Sequence, residues 1–240
     1  MNTIRKEYKE GTSGNYTLSE VCPAFTTLMQ KVYLWMTFAL VITGMTAYVT
    51  ADTPEILHIV MTNKMVFYAL LIAEVMLVVC ITAALHKLTI IQATALFVIY
   101  SFLNGITMSF LLLVYTGQSV ASVFLITAGT FAIMSAWGYT TGKDLTTMGK
   151  MLTMALIGMI LATVVNLFLR NGTLMSIISY VGVIVFVGLT AYDTQKIKKM
   201  LLEAQKTDEG QKIALLGALS LYLDFINLFI YLLRILGSRK

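Results

Sequence analysis

Mostly apolar runs of about twenty residues, with two charges at most in any of them, recur along this chain, and charges or turn residues mark where each one stops. About 20 apolar residues are what an α-helix needs to cross a hydrocarbon core of about 30 Å, so the pattern predicts membrane-spanning helices. The first covers residues 25–49 and ends at Ala51-Asp52-Thr53-Pro54-Glu55; the second covers 65–85 and ends at His86-Lys87. From Leu88 to Gly142 there is no charge, which leaves room for two spans, and Tyr115-Thr116-Gly117-Gln118-Ser119 is the convincing turn between them. Helix three is then 88–114 and helix four 120–141. A polar segment at 142–150 precedes helix five at 151–169. The turn Arg170-Asn171-Gly172-Thr173 leads into helix six, from 174 to about 192, and a lysine-rich connector leads to helix seven at 213–236. The expected fold class is an all-α membrane protein, a bundle of seven transmembrane helices. It forms one domain over residues 25–240 behind a polar N-terminal leader, 1–24.

Composition agrees: of 240 residues 58% are hydrophobic and 12% charged, and the mean hydropathy of +0.82 is far above that of a soluble domain. The two cysteines form no framework, since Cys80 lies within an apolar run and Cys22 in the polar segment ahead of the first helix. A net charge of +5 on such a chain reflects topology and contact with anionic lipid. No basic groove interleaved with exposed aromatics points to nucleic acid. The first apolar stretch lies behind a polar leader and is too long for a signal-peptide core, so it is expected to stay as an anchor.

Numbering the loops alternately puts Arg5, Lys6, Lys9, Lys31, Lys87, Lys143, Lys150, Lys196, Lys198, Lys199, Lys206 and Lys212 on the side of the N-terminus. Lys64, Arg170, Arg234, Arg239 and Lys240 fall on the other. Twelve against five argues for a cytoplasmic N-terminus in a cell inner membrane. The basic C-terminus fits less well and leaves open a re-entrant last segment with both ends cytoplasmic. No internal repeat of the kind seen in inverted-repeat transporters is visible.

Ionisable groups at membrane depth are costly unless paired or facing a wet cavity. Three acids qualify: Glu74 near the middle of helix two, Asp224 near the middle of helix seven, and Asp193 at the end of helix six. Each could simply tie helices together by hydrogen bonding. The spacing of the aspartates favours more, because their midpoint falls between Asp208 and Glu209, in the glycine-bearing turn of the connector. If helices six and seven run to that turn as an antiparallel hairpin, both aspartates lie about fifteen residues from it, roughly 22 Å of helical rise. They would then be level, within hydrogen-bonding reach. Two carboxyl groups close together in a poorly solvated site do not both ionise easily, so they would share a proton and respond to pH. Acidic oxygen clusters are also what a hard cation such as calcium requires in place of its water shell.

Other constellations are weaker. His58 and His86 are far apart and have no neighbouring cysteine, so zinc spacing is absent. Residues 142–150, with Gly142-Lys143-Asp144 and Gly149-Lys150, have phosphate-loop flavour but lack the required gap and the Ser or Thr after Gly-Lys. The fifteen methionines are scattered packing residues, not a cofactor box, and no cofactor is expected. Tyr192-Asp193 mimics half of an intramembrane aspartyl protease. Asp224, however, follows Leu221-Tyr222-Leu223 where Gly-x-Gly is needed, and the two prolines, Pro23 and Pro54, provide no Pro-Ala-Leu element. An enzyme is not expected.

The stretch Ala218-Leu219-Ser220-Leu221-Tyr222-Leu223-Asp224-Phe225-Ile226-Asn227-Leu228-Phe229-Ile230, running on to Leu232-Leu233-Arg234, resembles the C-terminal signature of the transmembrane Bax-inhibitor-motif family. Gly138-Tyr139-Thr140-Thr141-Gly142-Lys143-Asp144-Leu145-Thr146 is similar to the loop after that family's fourth helix, Ala191-Tyr192-Asp193-Thr194-Gln195 to the end of its sixth, and Glu74 to an acid in its second. The resemblance implies six helices around a central seventh, and a pair of aspartates that senses pH and gates a calcium leak. By motif that pair is Asp193 and Asp224, with calcium bound transiently between them and Glu74 on the ion's route. Bacterial relatives carry an arginine latch near the end of helix two; this chain has Leu85-His86-Lys87 there, so the latch is Lys87, His86 or absent. Two functions follow: a pH-sensitive calcium leak, or a non-conducting regulator that partners a membrane quality-control protease or another membrane protein.

Overall fold

The computed structural model describes residues 18–55, 62–85, 87–204 and 209–240. Seven long helices follow one another: α1 (Leu18–Asp52), α2 (Lys64–Ala84), α3 (Ile90–Val114), α4 (Gly117–Thr140), α5 (Thr146–Leu169), α6 (Gly172–Ala204) and α7 (Gly210–Leu236). All seven are long and apolar enough to cross a membrane. Polar side chains start several of them where the run of apolar residues begins. The Asn63 side chain accepts from the Met65 N–H before α2, Thr89 and Gln92 form a reciprocal capping box before α3, and Thr116 accepts from the Ser119 N–H before α4. α5 stops at Arg170, which adopts the left-handed conformation (φ 49°) and donates its N–H to the Asn166 carbonyl.

α1 begins at Leu18, seven residues ahead of the expected start and inside the expected leader, and two later boundaries depart from the hydropathy pattern by five residues or more. α5 begins at Thr146, five residues ahead of the expected start, and α6 continues twelve residues past Tyr192 to Ala204. In the second case the lysines mark the edge of the apolar zone, not the end of the helix. Beyond Asp193 there is neither glycine nor proline before Gly210, and Ile197, Leu201 and Ala204, spaced at four and three residues, keep one buried stripe going.

α6 and α7 form the most extensive helix pair, and α7 also packs against α1, α3 and α4. In its most apolar stretch 67% of α7 residues are buried, against 6% for α2, so α2 turns much of its apolar surface outward, where lipid is the natural solvent. Leu215, Leu219, Leu221, Tyr222, Leu228 and Leu233 of α7 are all but inaccessible.

The C-terminal tail fixes the side on which α7 emerges. Thr116 N donates to the Ser238 carbonyl (3.1 Å) and Lys240 N to the Val114 carbonyl (3.0 Å), while Ser238 N donates to Ser119 Oγ (2.9 Å) and Lys240 Nζ to the Leu112 carbonyl (2.7 Å). The tail therefore sits at the α3–α4 turn, across the bundle from the α4–α5 loop. α7 crosses completely, which overturns the re-entrant alternative.

Candidate functional site

The α6–α7 hairpin places Asp193 eleven residues before the end of α6 and Asp224 fourteen residues after the start of α7. At about 1.5 Å per residue these are roughly 17 and 21 Å from the turn, so the two stand within about one helical turn of the same level. Asp224 is buried, with 5% of its surface exposed, and Asp193 is half-buried. The two carboxyl groups are close enough to act on each other electrostatically. Asp224 Oδ2 is buried and has no hydrogen-bond partner, a costly state for a polar atom unless a proton or cation occupies the space beside it.

Around Asp193 the sequence motifs close on one another. Gly138 of α4 lies so tightly on α6 that a Cβ there would strike the Ala191 carbonyl, and Gly149 of α5 is covered by the Tyr192 ring. Glycine is required at both because a neighbouring helix occupies the side-chain space. Gln195 accepts from the Leu145 N–H (2.9 Å) and donates to the Lys143 carbonyl (2.8 Å), clamping the α4–α5 loop onto α6. Asp144 adds an exposed ion pair with Lys199 (2.9 Å) and accepts from the Thr146 hydroxyl and N–H. The Lys199 bond, then those from Thr146, hold its carboxyl down at about 2. Next to this loop Thr146, Tyr192, Gln195, Lys196, Lys199 and Glu203 help line a polar cavity of about 120 Å³.

Thr194, beside Asp193, ends a directed chain of hydroxyls. It gives its proton to the Thr190 carbonyl (2.7 Å), so Ser135 must donate to it (3.0 Å) and Tyr33 in turn to Ser135 (2.7 Å). α1, α4 and α6 are thereby tied at the level of the site.

Glu74 is half-buried on α2 and accepts a hydrogen bond from the Thr107 hydroxyl of α3. Its charge acts on the hydroxyls of Tyr100 and Tyr222. Tyr222 stands two residues before Asp224, about 200° away around α7, so the two point to opposite sides. The Glu74 cluster and the aspartate pair are separate sites with α7 between them.

Of the latch residues, His86 lies outside the described residues, as does His58, while Lys87 is exposed at the end of α2. Among the described residues the cation whose charge acts on Asp193 is Lys196, three positions along the same helix. The spacing Asp193-x-x-Lys196 carried that information in the sequence. Lys198 is nearly inaccessible and lies 5.6 Å from the centre of the Tyr139 ring, which is itself stacked on Phe25. No group of three or more His, Cys, Asp or Glu suited to hold a metal occurs among the described residues.

The family described as "Inhibitor of apoptosis-promoting Bax1" matches residues 26–240. The chain is 48% identical over 216 residues to the inner membrane protein YbhL of Escherichia coli, covering 89% of this chain and 92% of the relative. It is 46% identical over 213 residues to a Borreliella burgdorferi protein, covering 88% and 92%, and 40% identical over 229 residues to a Rickettsia prowazekii protein, covering 95% of each. With seven spans and the family's three motifs drawn together at Asp193 and Asp224, the chain is a multi-pass integral membrane protein and belongs to the Bax inhibitor family.

Proposed function

We propose that this protein is a pH-sensitive leak for calcium in a cell inner membrane, with its N-terminus cytoplasmic and the Asp193–Asp224 pair as its gate. The observation that carries the reading is the buried, partnerless Asp224 Oδ2 beside a second carboxyl group. A proton shared by the pair satisfies that oxygen and ties α6 to α7, closing the path. Ionisation replaces the tie with repulsion between two negative charges and favours separation of the helices. A divalent cation passing between the carboxylates relieves the repulsion. Two carboxylates suffice to hold calcium only transiently, as conduction requires. Lys196 tunes the pair from the connector side, and Glu74 lies beyond α7 as a candidate for the same route. The activity is passive transport without a resident cofactor, and no catalytic residue is assigned.

Purified protein in liposomes tests this directly. Calcium passage by the protein alone is the expected result. Transport that needs a co-purifying protein, or no transport at all, would favour the non-conducting regulator that partners a membrane protease.

A further inference from the structure

Glu74 accepts a hydrogen bond from Thr107 and its charge reaches the Tyr100 and Tyr222 hydroxyls, while no basic side chain acts on it among the described residues. Its neighbours on α3 fall on one stripe: Tyr100, Asn104 and Thr107 are spaced at four and three residues, so all three project from the same face. Proton counting shows what that face lacks. Thr43 gives its one proton to the Ser101 carbonyl (2.9 Å), so Tyr222 must be the donor in the Tyr222–Thr43 bond (2.7 Å). The Tyr222 oxygen keeps its lone pairs free. Asn104 Nδ2 donates to the Tyr100 hydroxyl oxygen (3.3 Å), while Asn104 Oδ1 is buried without any partner, on a residue only 4% exposed.

We propose that Glu74, Thr107, Asn104, Tyr100 and Tyr222 form a second site, on the opposite side of α7 from Asp224, that binds a small monovalent cation. The ligands are oxygen atoms, which suit a hard ion stripped of water. One carboxylate supplies one negative charge, matching an alkali ion and falling short of the several that calcium sites employ. The carboxylate needs a counter-charge at membrane depth, and the Asn104 oxygen needs an electropositive partner. The ion meets both demands. The site does not depend on the aspartate pair gating a leak.

The test is thermal unfolding of the full-length protein in detergent, in sodium, potassium or N-methylglucamine chloride at one ionic strength. Sodium or potassium should raise Tm by about 2–4 °C over the organic cation, saturably. The rise should disappear in Glu74→Gln and in Asn104→Leu and persist in Asp224→Asn. Should Glu74→Gln fail to fold, Thr107→Val serves, with a weakened rise expected. Equal Tm in all three salts, a rise that survives both Glu74→Gln and Asn104→Leu, or one lost only in Asp224→Asn overturns the proposal.

Discussion

Tyr222 and Asp224 stand two residues apart on α7 and serve opposite sides of it: the Tyr222 hydroxyl bonds Thr43 of α1 at 2.7 Å, while the Asp224 carboxyl feels the charge of Asp193 on α6 and keeps its buried Oδ2 without a hydrogen-bond partner. α7 is thus tied to α1 by a hydrogen bond between hydroxyls and presents to α6 a group that can ionise. In the proposed gate only the α6 side responds to pH within the ordinary range, since the hydroxyls on the α1 side stay neutral there. Motion that opens the site should therefore separate α6 from α7 and leave α7 with α1.

Close helix approach at Gly138 predicts an asymmetry between two helical glycines. A Cβ at Gly138 meets the Ala191 backbone, which cannot step aside as a flexible side chain would, whereas one at Gly158 meets nothing within 4 Å. Gly138→Ala should cost about 1–3 kcal/mol, and Gly158→Ala should be neutral or slightly stabilising. Thermal unfolding in detergent measures both; equal effects would contradict the packing described.

Gln195→Leu should release the α4–α5 loop. The substitution strands the Leu145 N–H, which is buried, and the Lys143 carbonyl, at about 1–3 kcal/mol for a buried group left unpaired. Trypsin should then cut after Lys143 faster than in the parent protein, and an unchanged rate would show that Gln195 does not hold the loop.

The neighbouring Asp144–Lys199 pair is predicted to take no part in pH sensing near neutrality. Its carboxyl is held at about 2, below the ordinary value of 3.8. The contribution is therefore fully present above pH 3.8 and lost only as pH falls toward 2. Because both groups are exposed, Asp144→Asn should leave the pH profile of flux where it is. A shift of that profile would move part of the sensor into the loop.

Topology offers an independent check. Twelve basic residues against five predict that a reporter fused within Thr207 to Gly210 behaves as cytoplasmic and one at Gly172 as external. The reverse pattern would invert the bundle.

How far the sequence could be read depended on the range of the interaction. The spans follow from long apolar runs, a local property. The end of α6 lies beyond the apolar run: Lys196, Lys198 and Lys199 have the look of a loop, although Ile197 among them and Leu201 just after are buried. The expectation that the aspartates stand near one level rests on their distances to the α6–α7 turn, since a hairpin converts sequence distance into depth. Gln195 stood inside a quoted motif, but its grip on Leu145 spans fifty residues, and Thr43 meets Tyr222 across 179; no spacing rule reaches that far. The polar stripe Tyr100, Asn104, Thr107 was open to view in an apolar helix and needed only its helical spacing to be recognised.

Calcium flux into proteoliposomes as a function of pH, for the parent protein and for Asp193→Asn and Asp224→Asn, tests the gate most directly. In the proposed gate a shared proton holds α6 and α7 together and its loss drives them apart, so flux in the parent should rise as pH rises. An asparagine keeps a hydrogen bond but cannot titrate, so each single mutant should fold and show a flattened profile. A profile unchanged in both would leave the two aspartates as structural ties between helices and contradict a gate built from them.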